Sequence, residues 1–157
     1  MNRIPDQRYA TVIGEALAIL PQRIADRLTG VRFVCGVDPG FAGLHAYGSS
    51  ENGYAYSTTA HCCFPYHLRN RPAAERPTTV VLPYPPALTT VVHELGHALD
   101  WSIGRTHTAA PVTDYARTDR DEAFAEAFTT WKFWGYGDEA AFRSDGATVA
   151  LFEELAA

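Results

Sequence analysis

The chain has 157 residues, 46% hydrophobic and 20% charged, with a formal net charge of −5. That length suits one domain over residues 1–157 with a single sizeable core, and the composition excludes a disordered chain or a disulfide-stapled miniprotein. The acidic balance argues against a nucleic-acid partner, which needs a basic patch, and no run approaches the roughly 20 apolar residues of a membrane span.

The N-terminus, MNRIPDQRYATVIGEALAIL, carries Pro5, Asp6 and Glu15 where a secretion signal has an apolar stretch. Val12, Ala16, Leu17, Leu20, Ile24 and Leu28 recur at threes and fours, which predicts helix over 8–29. Pro21 is expected to open a second helix there, and Gly30 to end it. VRFVCGV (31–37) reads as a strand closed by the turn DPG. Further strands are expected near 44–47, 54–63 and 78–82, with a surface loop, PYHLRNRPAAERP, between the last two. PYPP (83–86) then leads into a helix over 87–103 closed by Gly104. A loop over 105–118, a helix over 120–134 closed by GYG, and a short helix over 147–155 follow. Strands followed by helices indicate an α+β fold.

The chemistry concentrates in TTVVHELGHALDWS (89–102). At 100° per residue, Leu88, Val91, Val92, Leu95 and Leu99 share one side of that helix, while His93, His97 and Asp100 share the other. Imidazoles at i and i+4 stand one turn apart and converge on one ion. Glu94 projects about a quarter-turn away, where a general base for water activation belongs. The plainer alternative is a solvated helix face.

A catalytic zinc needs a third protein ligand. One familiar pattern adds a Gly and a further His after the second His; Asp100 and Ile103 occupy those positions and exclude it. In YARTDRDEAFAEAFTTW (115–131), Phe124, Phe128 and Trp131 form an apolar stripe opposite Glu122 and Glu126. A helix presenting one carboxylate to the metal with the second behind it would complete a His–His–Glu site. Alternatively, Glu122 belongs to a capping box begun by Asp119, and Glu126 is a solvated charge.

HELGHALD (93–100) and YARTDRDEAFAEAF (115–128) together resemble the zincin metallopeptidases of the gluzincin type. They are most like the anthrax lethal factor-like peptidases and small phage or bacterial zincin-like domains. The resemblance covers 89–134, under a third of the chain. A rival likeness is to small cytosolic metallopeptidases that cleave repressors, from which the YARTD lead-in differs. The resemblance implies a zincin-like fold, with N-terminal helices and a small twisted sheet, mixed or mostly antiparallel. It implies one Zn2+ per chain, with His93, His97 and Glu122 as ligands, Glu94 as general base and Glu126 as a supporting acid. Tyr115 then assists at the scissile carbonyl, matching the need for an oxyanion donor opposite the metal; otherwise it is an ordinary loop tyrosine. A zincin substrate is a protein or peptide lying extended along a sheet edge. A strand within 54–63 or 78–82 is the expected edge. Asp100 is a candidate partner for a ligand imidazole, with its reach undecided.

The expected function is therefore zinc-dependent hydrolysis of peptide bonds, the competing class being a non-catalytic module stabilised by zinc. HCCFPYH (61–67) lacks the ligand spacing of a structural zinc site, and its Cys62 and Cys63 are read as ordinary residues, as are the isolated His45 and His107. The aromatic run 131–136 is expected to pack the second helix onto the body. Cys35, Cys62 and Cys63 are an odd set with two adjacent members, a poor disulfide framework. With the missing signal, they indicate a cytoplasmic location, export by another route remaining open.

Overall fold

Helical periodicity at the start of the chain produces α1 (Gln7–Ala18) and α2 (Gln22–Arg27) in the computed structural model, which describes residues 7–35, 61–63, 78–82 and 87–157. Pro21 sits one position earlier than expected. At φ −54° and ψ 142° it caps α2 from outside, its carbonyl accepting the N–H groups of Ile24 and Ala25, both at 3.0 Å. Gly30 lies in the turn that carries α2 to the sheet. Tyr9, Ala16, Leu20, Ile24 and Leu28 are buried, so the predicted apolar stripe faces the core.

Three short strands are described: β1 (Arg32–Cys35), β2 (His61–Cys63) and β3 (Thr79–Leu82). They form a mixed sheet in the order β1-β3-β2. β1 runs parallel to β3 with Arg32 opposite Thr79, and β2 runs antiparallel with Cys63 opposite Thr79. β3 is thus paired on both sides. That removes 78–82 as a sheet edge, a correction to the expectation above, while β2 is an edge among the described residues. The predicted strand at 44–47, the start of 54–63, the turns DPG and PYPP and the loop at 65–77 lie outside the described residues. Sheet and helices together make an α+β fold.

α3 (Leu88–Ser102) is the helix that carries HELGH. Val91, Val92, Leu95 and Leu99 are fully buried, as the periodicity predicts. The opposite side is buried as well, since every residue from 91 to 100 is buried. Gly104, at φ 79°, ends the helix, and the Arg105 N–H returns to the Asp100 carbonyl at 2.9 Å. A glycine supplies the left-handed conformation that such a stop requires.

A short 3-10 turn (Tyr115–Arg117) precedes α4 (Arg120–Lys132), and α5 (Glu139–Ser144) and α6 (Gly146–Ala156) complete the chain. Asp119 caps α4 by accepting from the N–H groups of Asp121 at 2.8 Å and Glu122 at 2.9 Å. Phe124, Phe128 and Trp131 then close around Phe152 of α6, with ring centroids 5.4, 5.5 and 5.5 Å from it. Trp131 packs as the aromatic run predicts, whereas Trp134 is 79% exposed. Among the described residues, no helix is long and apolar enough to cross a membrane.

α3 and α4 cross at Gly96. A Cβ built there would lie 3.0 Å from the Ala125 Cα and 3.3 Å from Phe128 Cδ1. The first contact is backbone, which has no rotamer to retreat into. Gly96→Ala is therefore expected to destabilise the protein by about 1–3 kcal/mol through overpacking, despite alanine's better helix propensity. Urea unfolding of both proteins measures this; equal midpoints would mean that the helices separate freely.

Candidate metal centre

The crossing brings the imidazoles of α3 against the first turns of α4. His93 Nε2 lies 3.1 Å from Glu122 Oε2 and 3.2 Å from His97 Nε2, and His97 Nε2 lies 3.5 Å from the same carboxylate oxygen. Glu122 is thus turned to the histidines. The Asp119 cap expected from sequence also forms, because the cap uses the Glu122 backbone N–H and leaves its carboxylate free to face α3.

Glu126, one turn along α4, meets the other nitrogen of the same ring, its Oε1 lying 2.7 Å from His93 Nδ1. A carboxylate accepts, so Nδ1 carries the hydrogen, and in neutral His93 the Nε2 lone pair points into the cluster. There it faces the Glu122 oxygen and His97 Nε2. Such a gathering of lone pairs needs a positive centre, either a proton or a metal ion. Burial alone would lower the His93 pKa, but its hydrogen bonds to Glu122 and Glu126 and the charge of Glu94 hold it up at about 9. Burial likewise works to raise Glu122, yet its bonds to His93 and His97 bring it down to about 2.

The residues fit a zinc ion. Ligand atoms around a tetrahedral ion with bonds of about 2.0–2.1 Å stand about 3.3–3.4 Å apart. The three separations of 3.1, 3.2 and 3.5 Å bracket that spacing. His93, His97 and Glu122 are also the one set of metal-competent side chains found among the described residues.

Glu94 lies beside this cluster and is 4% exposed, with its Oε2 lacking any hydrogen-bond partner among the described residues. Burial pushes its carboxyl up to about 7, against the pull of His97 and His93. Tyr115 is 56% exposed at the rim, its ring 6.1 Å from that of His93. Burial and the negative charge of Glu122 push its hydroxyl up to about 12, so it stays a proton donor through the neutral range.

Asp100 does something else. It is fully buried and receives both Nη atoms of Arg120, one of them at 2.8 Å, while Arg120 Nη2 also donates to the His107 carbonyl. It ties the end of α3 to the start of α4. His107 is likewise structural, with Nε2 2.7 Å from Thr148 Oγ1. His45, His67 and the side chains of His61, Cys62 and Cys63 lie outside what the structure describes.

Sequence reasoning misses Arg120, Thr113 and Tyr136, the last two of which donate to Glu126 at 2.7 and 2.8 Å. The DR pair that opens α4 is a usable signal for Arg120, as it offers a cation to the buried Asp100. Thr113 and Tyr136 come from loops and carry no periodic signal. No model of a known protein family, no curated protein and no solved structure matches the chain.

The Asp100–Arg120 pair is asymmetric, with side-chain exposures of 1% and 26%. Arg120→Ala strands a buried carboxylate and is expected to cost about 3–5 kcal/mol. Asp100→Ala leaves a cation that water reaches, so it should cost less, and the double variant should recover part of the Arg120→Ala loss. Chemical denaturation of the three variants measures the cycle; additive losses would mean that the two side chains are not coupled.

Proposed function

We propose that this chain is a zincin-like zinc metallopeptidase that hydrolyses peptide bonds. The observation that carries the reading is the pairing of two features: the converging donors of His93, His97 and Glu122, and a buried Glu94 oxygen beside them without a partner. A closed structural zinc site fills all four positions with protein ligands. Among the described residues three protein donors converge, and a carboxylate and a phenol remain over.

His93, His97 and Glu122 would hold the zinc ion, which would supply a Lewis acid for water activation and carbonyl polarisation. Glu94 takes the proton of the attacking water as its oxygen bonds to the peptide carbon. When the C–N bond breaks, Glu94 returns that proton to the departing amine. Tyr115 donates a hydrogen bond to the carbonyl oxygen as negative charge develops there. His93 and His97 stay fixed by their helix, and Glu126 keeps the His93 ring in its tautomer.

The substrate in this reading is a protein or peptide bound in extended form. Among the described residues β2 pairs with β3 on one side and lies against α3, and in this reading its other edge is the place for an added strand.

Zinc per chain, measured by elemental analysis on protein purified without added metal, is the first test. The reading expects about one equivalent in wild type and clear loss in Glu122→Ala. Glu94→Gln should keep its zinc and lose about 10²-fold or more in peptide-library hydrolysis. Wild type that takes up no zinc, even when supplied, overturns the reading. Zinc retained with hydrolysis absent from wild type would instead assign the site to a non-catalytic module.

A further inference from the structure

Glu126 has three partners for its two carboxylate oxygens. Oε1 accepts from His93 Nδ1 at 2.7 Å and from the Tyr136 hydroxyl at 2.8 Å, and Oε2 accepts from Thr113 Oγ1 at 2.7 Å. A carboxylate held only by the imidazole could still swing about its last bonds. Two further donors, one on each oxygen, remove that freedom.

The donors come from before and after α4 in the chain, in segments that are themselves joined. Thr113 precedes the helix and Tyr136 follows it, and the Asp138 N–H donates to the Val112 carbonyl at 2.7 Å. Gly137 packs so tightly there that a Cβ would strike Thr130 Oγ1 and approach the Val112 oxygen at 3.1 Å. Gly135, at φ 80°, turns the chain, and its N–H donates to Glu139 Oε1 at 2.5 Å. The turn that aims the Tyr136 hydroxyl is therefore held at several points. Thr113 has a second task, since its Oγ1 accepts the Ala116 N–H at 3.0 Å, inside the 3-10 turn that Tyr115 opens.

We propose that Thr113 and Tyr136 are positioning residues for the metal centre, locking Glu126 so that His93 presents Nε2 to the ion. Thr113 also fixes the turn that carries Tyr115, so a single hydroxyl couples the metal-binding imidazole to the residue at the rim. The inference rests on the metal-site reading above and concerns residues outside the set of candidate metal ligands. Partners that orient a ligand through hydrogen bonds typically change metal affinity by about 10–100-fold when removed.

The test compares wild type with Thr113→Val, Thr113→Ser and Tyr136→Phe. Zinc affinity is measured by competition with a chromophoric chelator, and thermal unfolding of the metal-free proteins is followed in parallel. Thr113→Val and Tyr136→Phe should each bind zinc about 10-fold more weakly, while Thr113→Ser, which keeps the hydroxyl, should stay near wild type. A merely structural role would lower the unfolding temperature and leave zinc affinity unchanged in the folded variants, which overturns the proposal. Loss of affinity that serine does not rescue overturns the part assigned to Thr113. Should Thr113→Val fail to fold, Tyr136→Phe decides by the same criterion. Wild type without zinc defeats the metal-site reading and this inference together; zinc in wild type with unaltered affinity in the variants defeats this inference alone.

Discussion

The contact between Gly96 and Ala125 sets the distance between α3 and α4, and the site depends on that distance. A helix rises about 5.4 Å per turn, so side chains within one turn of a crossing stay close to the partner helix. His93 and His97 flank Gly96, and Glu122 and Glu126 flank Ala125, which places all four within that range. A side chain at 96 would meet backbone 3.0 Å away and widen the gap. The Asp100–Arg120 pair holds the same two helices one turn further on, so separation and angle are fixed by different contacts. Phe152, packed among Phe124, Phe128 and Trp131, supports α4 from α6.

With the helices fixed, electrostatics governs what the crossing holds. Two imidazoles and three carboxylates share a buried region, and most of them are paired: Glu122 with His93 and His97, Glu126 with His93. Their mutual interactions depress the carboxyl of Glu122 to about 2 and raise His93 to about 9, although burial opposes both shifts. Glu94 is the exception. Burial dominates it, and one of its oxygens has no partner among the described residues. An unpaired buried polar atom costs folding free energy, and a protein that keeps one commonly uses it.

How much of this was legible in the sequence follows from the range of each interaction. The core face of α3, the pairing of His93 with His97 and the carboxylate face of α4 are set within a few residues by the helical repeat, and they read directly. That the histidine face of α3 is buried was not legible, because α4 covers it and no local pattern reports its arrival. Asp100 is the clearest case: its helical position suggested an imidazole partner, but its carboxylate is taken by Arg120, 20 residues on. Sheet order is equally non-local, and β3 proves central although its residues suit an edge equally well. The 3-10 turn and α5 are too short to establish a periodicity.

Tethering falls off outward through the site. His93 is fixed by its helix and by Glu126, and Glu126 is fixed in turn by Thr113 and Tyr136. Tyr115 is 56% exposed, in the turn that Thr113 caps. Groups that must converge on one point within tenths of an ångström need rigid support, because misplacement of that order is costly in any site that works by preorganisation. A residue that meets a substrate from the rim has the opposite requirement, since it must let the substrate enter before closing its hydrogen bond. In the proposed reading, firm support at His93 beside an exposed Tyr115 would suit a centre that holds its chemistry still while its entrance remains open.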